Sequence, residues 1–354
     1  MRSLLAVALV AACSRTPAPA DRGTDYCRQR QIYTSVPEVP LSGSAGTTIP
    51  AHTFSIVARD PVTGDMGVAV QSHYFSVGSA VTWAEPGVGA VATQSLVEKS
   101  YGPKGLALMA SGVAAPEALA QLVAADKQSA MRQVGFVDAS GHAAAHTGAQ
   151  AIAFAGHHVG DGYSVQANIM GNDKVVPAMA KAYESTPGDL ADRLLAALDA
   201  AQGEGGDLRG CQSAAILIVS GKKTDAPWNE RKLELRVEDS ADPLHELRRL
   251  VGLGRAYDRV NQGDLALEKK DIPGALAHYE AGMKMAPENI EMKFWVGVTL
   301  ASIGKVDDSM PLFRAAFRDD PAWVELVRRL PKAEIIPNTE TGRAAVQRVL
   351  NEAR

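Results

Sequence analysis

A chain of 354 residues, with 46% hydrophobic and 21% charged residues, is long enough for two or three ordinary globular domains. Its formal charge of -4 gives no basic face for nucleic acid or anionic lipid, and an aromatic content of 5% leaves few platforms for stacking bases. No nucleic-acid partner is expected, and past the first residues no run reaches the roughly 18 apolar positions of a membrane span.

The N-terminus has the layout of an export signal: one positive charge at Arg2, a short apolar core over 4–12, then Cys13. Val10-Ala11-Ala12-Cys13 resembles a bacterial lipobox, which implies lipidation of Cys13, and Ser14 behind it points to the outer membrane where a cell has one. A plain secretory signal with an incidental cysteine is the other reading. The expected location is therefore the periplasm or the outer membrane, with a lipid as the sole membrane contact. Cys27 and Cys211 remain. In an oxidising compartment they can pair, but sequence alone does not bring their Cα atoms within bonding range. Residues 14–51 hold five prolines and the run Ser42-Gly43-Ser44-Ala45-Gly46-Thr47-Thr48, and read as a flexible spacer.

A folded domain is expected over 52–250. Residues 53–59 and 66–72 form a hairpin about the turn Asp60-Pro61-Val62-Thr63-Gly64-Asp65. Short strands follow near 80–84 and 89–94. The period then changes to 3.6, giving helices at 104–110 and 116–125. Strands resume at 133–138, 142–147 and 163–170, helices at 175–184 and 189–201, and strands at 213–219 and 233–237. Strands and helix pairs in this order fit an α+β fold, a four-layer αββα sandwich, rather than a doubly wound sheet with one helix between each pair of strands. Gly87-Val88-Gly89 does not complete GxGxxG, and no cofactor is expected.

Over 251–340 the pattern is different again. Gly263, Ala275, Tyr279 and Pro287 recur 34 residues later as Gly297, Ser309, Phe313 and Pro321. Small, aromatic and proline residues at this period are the tetratricopeptide pattern, with repeats at 256–289 and 290–323. Flanking helices near 243–252 and 322–330 would cap the pair. Grooves of such repeats bind peptide segments, so a protein or peptide partner is expected there.

The runs His52-Thr53-Phe54-Ser55-Ile56-Val57-Ala58-Arg59-Asp60, Gly67-Val68-Ala69-Val70-Gln71-Ser72 and Gly87-Val88-Gly89-Ala90-Val91-Ala92-Thr93-Gln94 resemble the bacterial domain-of-unknown-function family 1028. So do Ser100-Tyr101-Gly102-Pro103, Ala145-His146-Thr147-Gly148 and Gly206-Asp207-Leu208-Arg209-Gly210. The resemblance covers 53 to about 250. It implies the fold of the N-terminal-nucleophile hydrolases, with Thr53 as nucleophile.

In that superfamily the nucleophile's own free α-amine is the base; with a pKa of about 7.7–8.0 it can take the hydroxyl proton near neutrality. Asn168 is the candidate oxyanion donor, with backbone N–H groups near Gln94 and Ser95 as companions. Arg209 would clamp a substrate carboxylate while Asp207 orients it; a purely structural ion pair is the alternative. This chemistry requires the bond between His52 and Thr53 to be cut, and such a cut would part the domain from a lipid anchor. Thr53 as an ordinary strand residue is the other reading. His73 and His146 are isolated, while His157 and His158 would face opposite sides of a strand, so no metal is expected.

Two functions fit. One is a cell-envelope hydrolase of a small amide or peptide. The other is an inactive lipid-anchored protein that binds partners through its repeats. A homodimer fits either, although no residue reports an interface.

Overall fold

The computed structural model describes residues 50–51 and 53–353. The export signal, Cys13, Cys27 and most of the expected spacer lie outside them. The chain divides into two units: one runs to Glu230 and takes back Arg236–Leu244, and the other comprises Arg231–Leu235 and His245 onward.

The first unit is mixed α/β, built on two antiparallel sheets. Its elements are β1 (Pro50–Ala51), β2 (Thr53–Arg59), β3 (Met66–Ser72), α1 (Gly78–Val81), β4 (Thr82–Glu85), β5 (Gly89–Leu96), α2 (Tyr101–Ala110) and α3 (Ala115–Ala125). They continue with β6 (Arg132–Asp138), β7 (Ala143–Thr147), β8 (Gly156–Gly160), β9 (Tyr163–Ala167), α4 (Val175–Ser185), α5 (Leu190–Gly203) and β10 (Ser213–Val219), followed by β11 (Arg231–Val237), whose residues Arg231–Leu235 fall in the second unit. One sheet has the order β1-β5-β6-β7, with β4 also on β5; the other runs β11-β10-β3-β2-β9-β8.

The β2–β3 hairpin forms where the sequence places it. Asp60 Oδ1 accepts the backbone N–H groups of Val62 and Thr63 at 2.8 and 2.9 Å, and Gly64 takes a φ of 77° that a side chain would resist. Behind that turn the two sheets bury Val57, Val68 and Val70 against Ala90, Ala92 and Val137. Full burial of an aliphatic side chain stabilises by about 1.5–3 kcal/mol. A second cluster seats Leu106 and Met109 of α2 and Leu119 of α3 on Val91, Val134 and Phe136. On the other sheet, a Cβ at Gly67 would lie 2.9 Å from Leu194 of α5, so the missing side chain lets that helix approach.

Several expectations change. The strand expected from residue 80 begins as the helical turn α1, because the Thr82 hydroxyl donates to Gly78 O at 2.8 Å. The strand expected to reach residue 170 stops at Ala167, since Ile169 sits at a φ of 55° that cannot continue a strand. Gly156–Gly160 pairs with β9 as a strand the reading did not delimit. The last two residues of the expected spacer pair with Leu96 and Ser95 of β5.

The second unit is helical: α6 (Pro243–Glu268, beginning at the end of the first unit), α7 (Ile272–Met285), α8 (Ile290–Ser302), α9 (Val306–Asp319), α10 (Ala322–Arg329) and α11 (Glu340–Glu352). A Cβ at Gly263 would meet the Tyr279 ring at 2.4 Å, and one at Gly297 would meet the Phe313 ring at 3.5 Å. The repeated small and aromatic positions thus face each other in both helix pairs. Instead of a short cap near 243–252, α6 is one continuous helix, and α11 was not anticipated.

Candidate active site

The interior between the sheets changes character along the strands. It is apolar towards the Asp60 turn and polar at the opposite end, where β2 starts and β3, β5 and β9 finish. Thr53, Ser55, Gln94, Gln133, Ser164, Gln166 and Asn168 are all fully buried there. Ser55 stands opposite Gln166 in one sheet, and Gln94 opposite Gln133 in the other. The two pairs face each other across the interior.

Their hydrogen bonds form a directed chain. Ser164 Oγ donates to Gln166 Oε1 at 3.1 Å, Gln166 Nε2 to Ser55 Oγ at 2.6 Å, and Ser55 Oγ to Gln94 Oε1 at 2.6 Å. Gln94 Nε2 then donates to Gln133 Oε1 at 2.7 Å and to Thr53 O at 3.1 Å. Gln133 Nε2 ends on the carbonyls of Ala167 (2.8 Å) and Gly156 (3.1 Å). Because those carbonyls can only accept, the orientation of the Gln133 amide is fixed, and with it every amide upstream.

Thr53 is the first residue of β2, and its hydroxyl donates to Ser72 Oγ at 3.1 Å. Asn168 lies one residue past β9; its Nδ2 donates to Gln133 Oε1 at 2.8 Å and leans on Thr53 O at 3.4 Å. Its Oδ1 is buried without a partner. A buried unpaired amide oxygen is destabilising by about 1–3 kcal/mol, and such atoms are few in folded proteins. Ser95, Ile169 and Ser76 have φ values of 71°, 55° and 54°, so three non-glycine residues in the left-handed region lie beside the ends of β5, β9 and β3. Strain of this kind gathers at functional sites.

Asp207 is buried and Arg209 partly exposed. Arg209 donates Nε to Asp207 Oδ1 at 3.1 Å and Nη2 to Oδ2 at 2.7 Å, while Oδ2 also accepts the backbone N–H of His73 at 3.1 Å. The forked face of the guanidinium is thus engaged by Asp207, which also ties the 207–209 loop to the end of β3. A substrate carboxylate would have to meet another edge of Arg209. Ile152, Phe154 and Leu208 leave about half their surface exposed, on loops whose backbones bond the 169–170 segment.

The structure therefore brings Thr53, Asn168 and Gln94 together, with Ser95 adjacent and Asp207–Arg209 at the end of the neighbouring strand. Ser72, Ser55, Gln133 and Gln166 belong to the same constellation and were missed. Their only sequence mark is a polar residue interrupting an otherwise apolar strand, which does not tell a buried position from a solvent-facing one. Among the described residues no group of three or more metal-ligating side chains converges. His157 bonds Thr147 Oγ1 at 2.8 Å, and burial, with His146 and His158 nearby, lowers its pKa. Cys211 is disulfide-bonded, and the chain's other two cysteines lie outside the described residues.

A two-sheet α/β domain with a buried threonine opening a central strand, ringed by amides, is the class that these features define. The chain belongs to the DUF1028 family, a family of unknown function whose model matches residues 53–247. A crystal structure of protein SPO2555 from Silicibacter pomeroyi, described with the same family, is similar: 28% identity, 57% of this chain and 88% of that one covered, TM-score 0.51. No curated protein sequence matches the chain.

Proposed function

We propose that the α/β domain is a hydrolase of amide bonds of the N-terminal-nucleophile type, a four-layer αββα sandwich in which Thr53 attacks once the bond from His52 is cut. The observation that carries this reading is the setting of Thr53: buried at the first position of a central strand, its hydroxyl on Ser72 and its carbonyl held by Gln94 and Asn168. The family match also begins at this residue. In this mechanism the freed α-amine takes the proton from Thr53 Oγ1 as the oxygen adds to the substrate carbonyl. Collapse passes the proton to the departing amine and leaves an ester on Thr53. Water, deprotonated by the same amine, then releases the acid. Backbone N–H groups near Ser95 and the Asn168 amide stabilise the oxyanion. In the uncut chain Asn168 Nδ2 is engaged with Gln133, so its role requires the side chain to turn after the cut.

The protein is placed by this proposal in the cell envelope, exported and lipidated at Cys13, with a helical tail of tetratricopeptide type. A second reading, a binding protein without turnover, is favoured by one feature of that tail. An apolar cavity of about 530 Å³ lies among Ala301, Val306, Pro337, Ala345 and Arg348. The mature N-terminus separates the two. Intact mass or N-terminal sequencing of protein from its native envelope should give Thr53 for the hydrolase; a sole product starting between Cys13 and His52 would rule that mechanism out. With Thr53 exposed, Thr53→Ala should abolish labelling by a hydroxyl-reactive probe.

A further inference from the structure

One edge of β5 carries two strands in tandem. β4 pairs with Gly89 to Ala92, and β1 pairs with Ser95 and Leu96, while β6 takes the opposite edge along residues 89–95. Pro50–Ala51 therefore sits on a length of edge that no other described strand covers. Two residues after Ala51 and its bridge to Ser95, Thr53 is paired with Ser72 of the other sheet. Ala51 and Thr53 thus belong to different sheets. Whatever occupies this edge delivers its next peptide bond to Thr53.

The edge is braced from behind. Arg132, almost fully buried, donates Nη1 to Leu96 O at 2.7 Å, Nε to Asp126 Oδ2 at 2.9 Å and Nη2 to Gln128 Oε1 at 2.8 Å. A buried arginine held by three partners fixes the last residue of β5 as a rigid template. Thr53, Ser72 and Asn168 are meanwhile fully closed to solvent in the uncut chain, so a ligand reaches them only after something moves.

We infer that the Ser95–Leu96 edge is a main-chain subsite for an extended peptide, and that the protein's own residues 50–51 fill it until the bond before Thr53 is cut. Strand addition to an open edge recognises N–H and C=O groups at strand spacing, which a peptide offers and a sugar or simple ester does not. The upstream segment is then both plug and template: its peptide runs antiparallel to β5 and presents a carbonyl to Thr53. This deepens the hydrolase reading by naming its substrate class, and rests on that reading for the fate of the peptide but not for its binding.

The test is hydrogen exchange of the full-length chain, read by mass spectrometry over residues 93–98. Ala51→Pro removes the backbone N–H of residue 51 and should raise exchange there roughly tenfold, with β2 and β3 unchanged. The pair Pro50→Gly with Ala51→Gly, which leaves every pairing group in place, should give a smaller rise and serves if the proline variant does not fold. Adding excess synthetic peptide of residues 46–52 should restore protection in either variant; the same peptide N-methylated at Ala51 should not. Unchanged exchange in both variants, or equal protection by the N-methylated peptide, overturns the subsite. Thr53→Ala combined with either variant should keep the peptide response. Probe labelling that persists in Thr53→Ala with that response intact would remove the hydrolase reading alone, and Thr53-dependent labelling without any peptide response would remove the subsite alone.

Discussion

Gln133 is the side chain on which the interior network turns. Its Oε1 accepts from Gln94 and Asn168, and its Nε2 supplies Ala167 O, Gly156 O and Thr147 Oγ1. Gln133→Leu would take from Gln94 Nε2 and Asn168 Nδ2 their shortest acceptor and from Ala167 O and Gly156 O a side-chain donor, in a largely buried space. The expected loss is about 3 kcal/mol or more, read as a drop in the urea midpoint at unchanged slope. Thr53→Ala removes only one hydroxyl contact and should lower stability by no more than about 1 kcal/mol, so it separates chemistry from folding. At this scale Thr53 and Gln94 were legible through the motifs they stand in, and Asn168 as a side-chain amide at the end of an expected strand. Ser55, Gln133 and Gln166 were not, because a polar residue on a strand reads as facing solvent. Nothing local distinguishes a water-facing position from one aimed at a polar residue on a second sheet.

Between elements, the network depends on a missing side chain. Gly135 of β6 lies under Gln166, and a Cβ there would fall 2.4 Å from Gln166 Oε1 and 2.8 Å from Ser164 Oγ. Gly135→Ala should displace Gln166 and destabilise by about 1–3 kcal/mol, as overpacking does, with a shifted Gln166 amide signal in the NMR spectrum. The hairpin turn makes a prediction with a sign. Burial pushes the Asp60 carboxyl up, but the N–H groups of Thr63 and Val62, with Arg193 nearby, outweigh it and hold the pKa below the ordinary 3.8. A depressed carboxylate stabilises the fold in full above its unfolded value, and the contribution fades as pH falls through the folded value. Asp60→Ala should lose about 1–2 kcal/mol at pH 7, while Asp60→Asn should keep part of the turn yet flatten the acid limb of a stability–pH curve. The hairpin was legible because Asp, Pro and Gly each act locally. The ends of β9 and the start of α1 were not, being set by Ile169's left-handed backbone and by the contact of Gly78 with Ala215, 2.5 Å from where a Cβ would sit.

For the whole molecule, the helical C-terminal part was visible as a 34-residue repeat, whereas the continuity of α6 was hidden because Gly252 and Gly254, residues that ordinarily mark a helix end, lie inside it. The helical unit centres on Tyr279 and Phe313, both buried. Tyr279→Ala or Phe313→Ala should cost that unit about 3–5 kcal/mol, seen as an early transition in thermal melting, with the α/β unit's own transition unmoved. The placement of residues 50–51 and Thr53 on different sheets has a consequence in time. Neither partner strand is in place before the α/β unit has closed, so the bond between them is held ready only in a finished fold. Under the proposed maturation, a cut there records that folding succeeded. Nascent and misfolded chains would keep their leader, and the ratio of cut to uncut protein in a cell would report its folding yield.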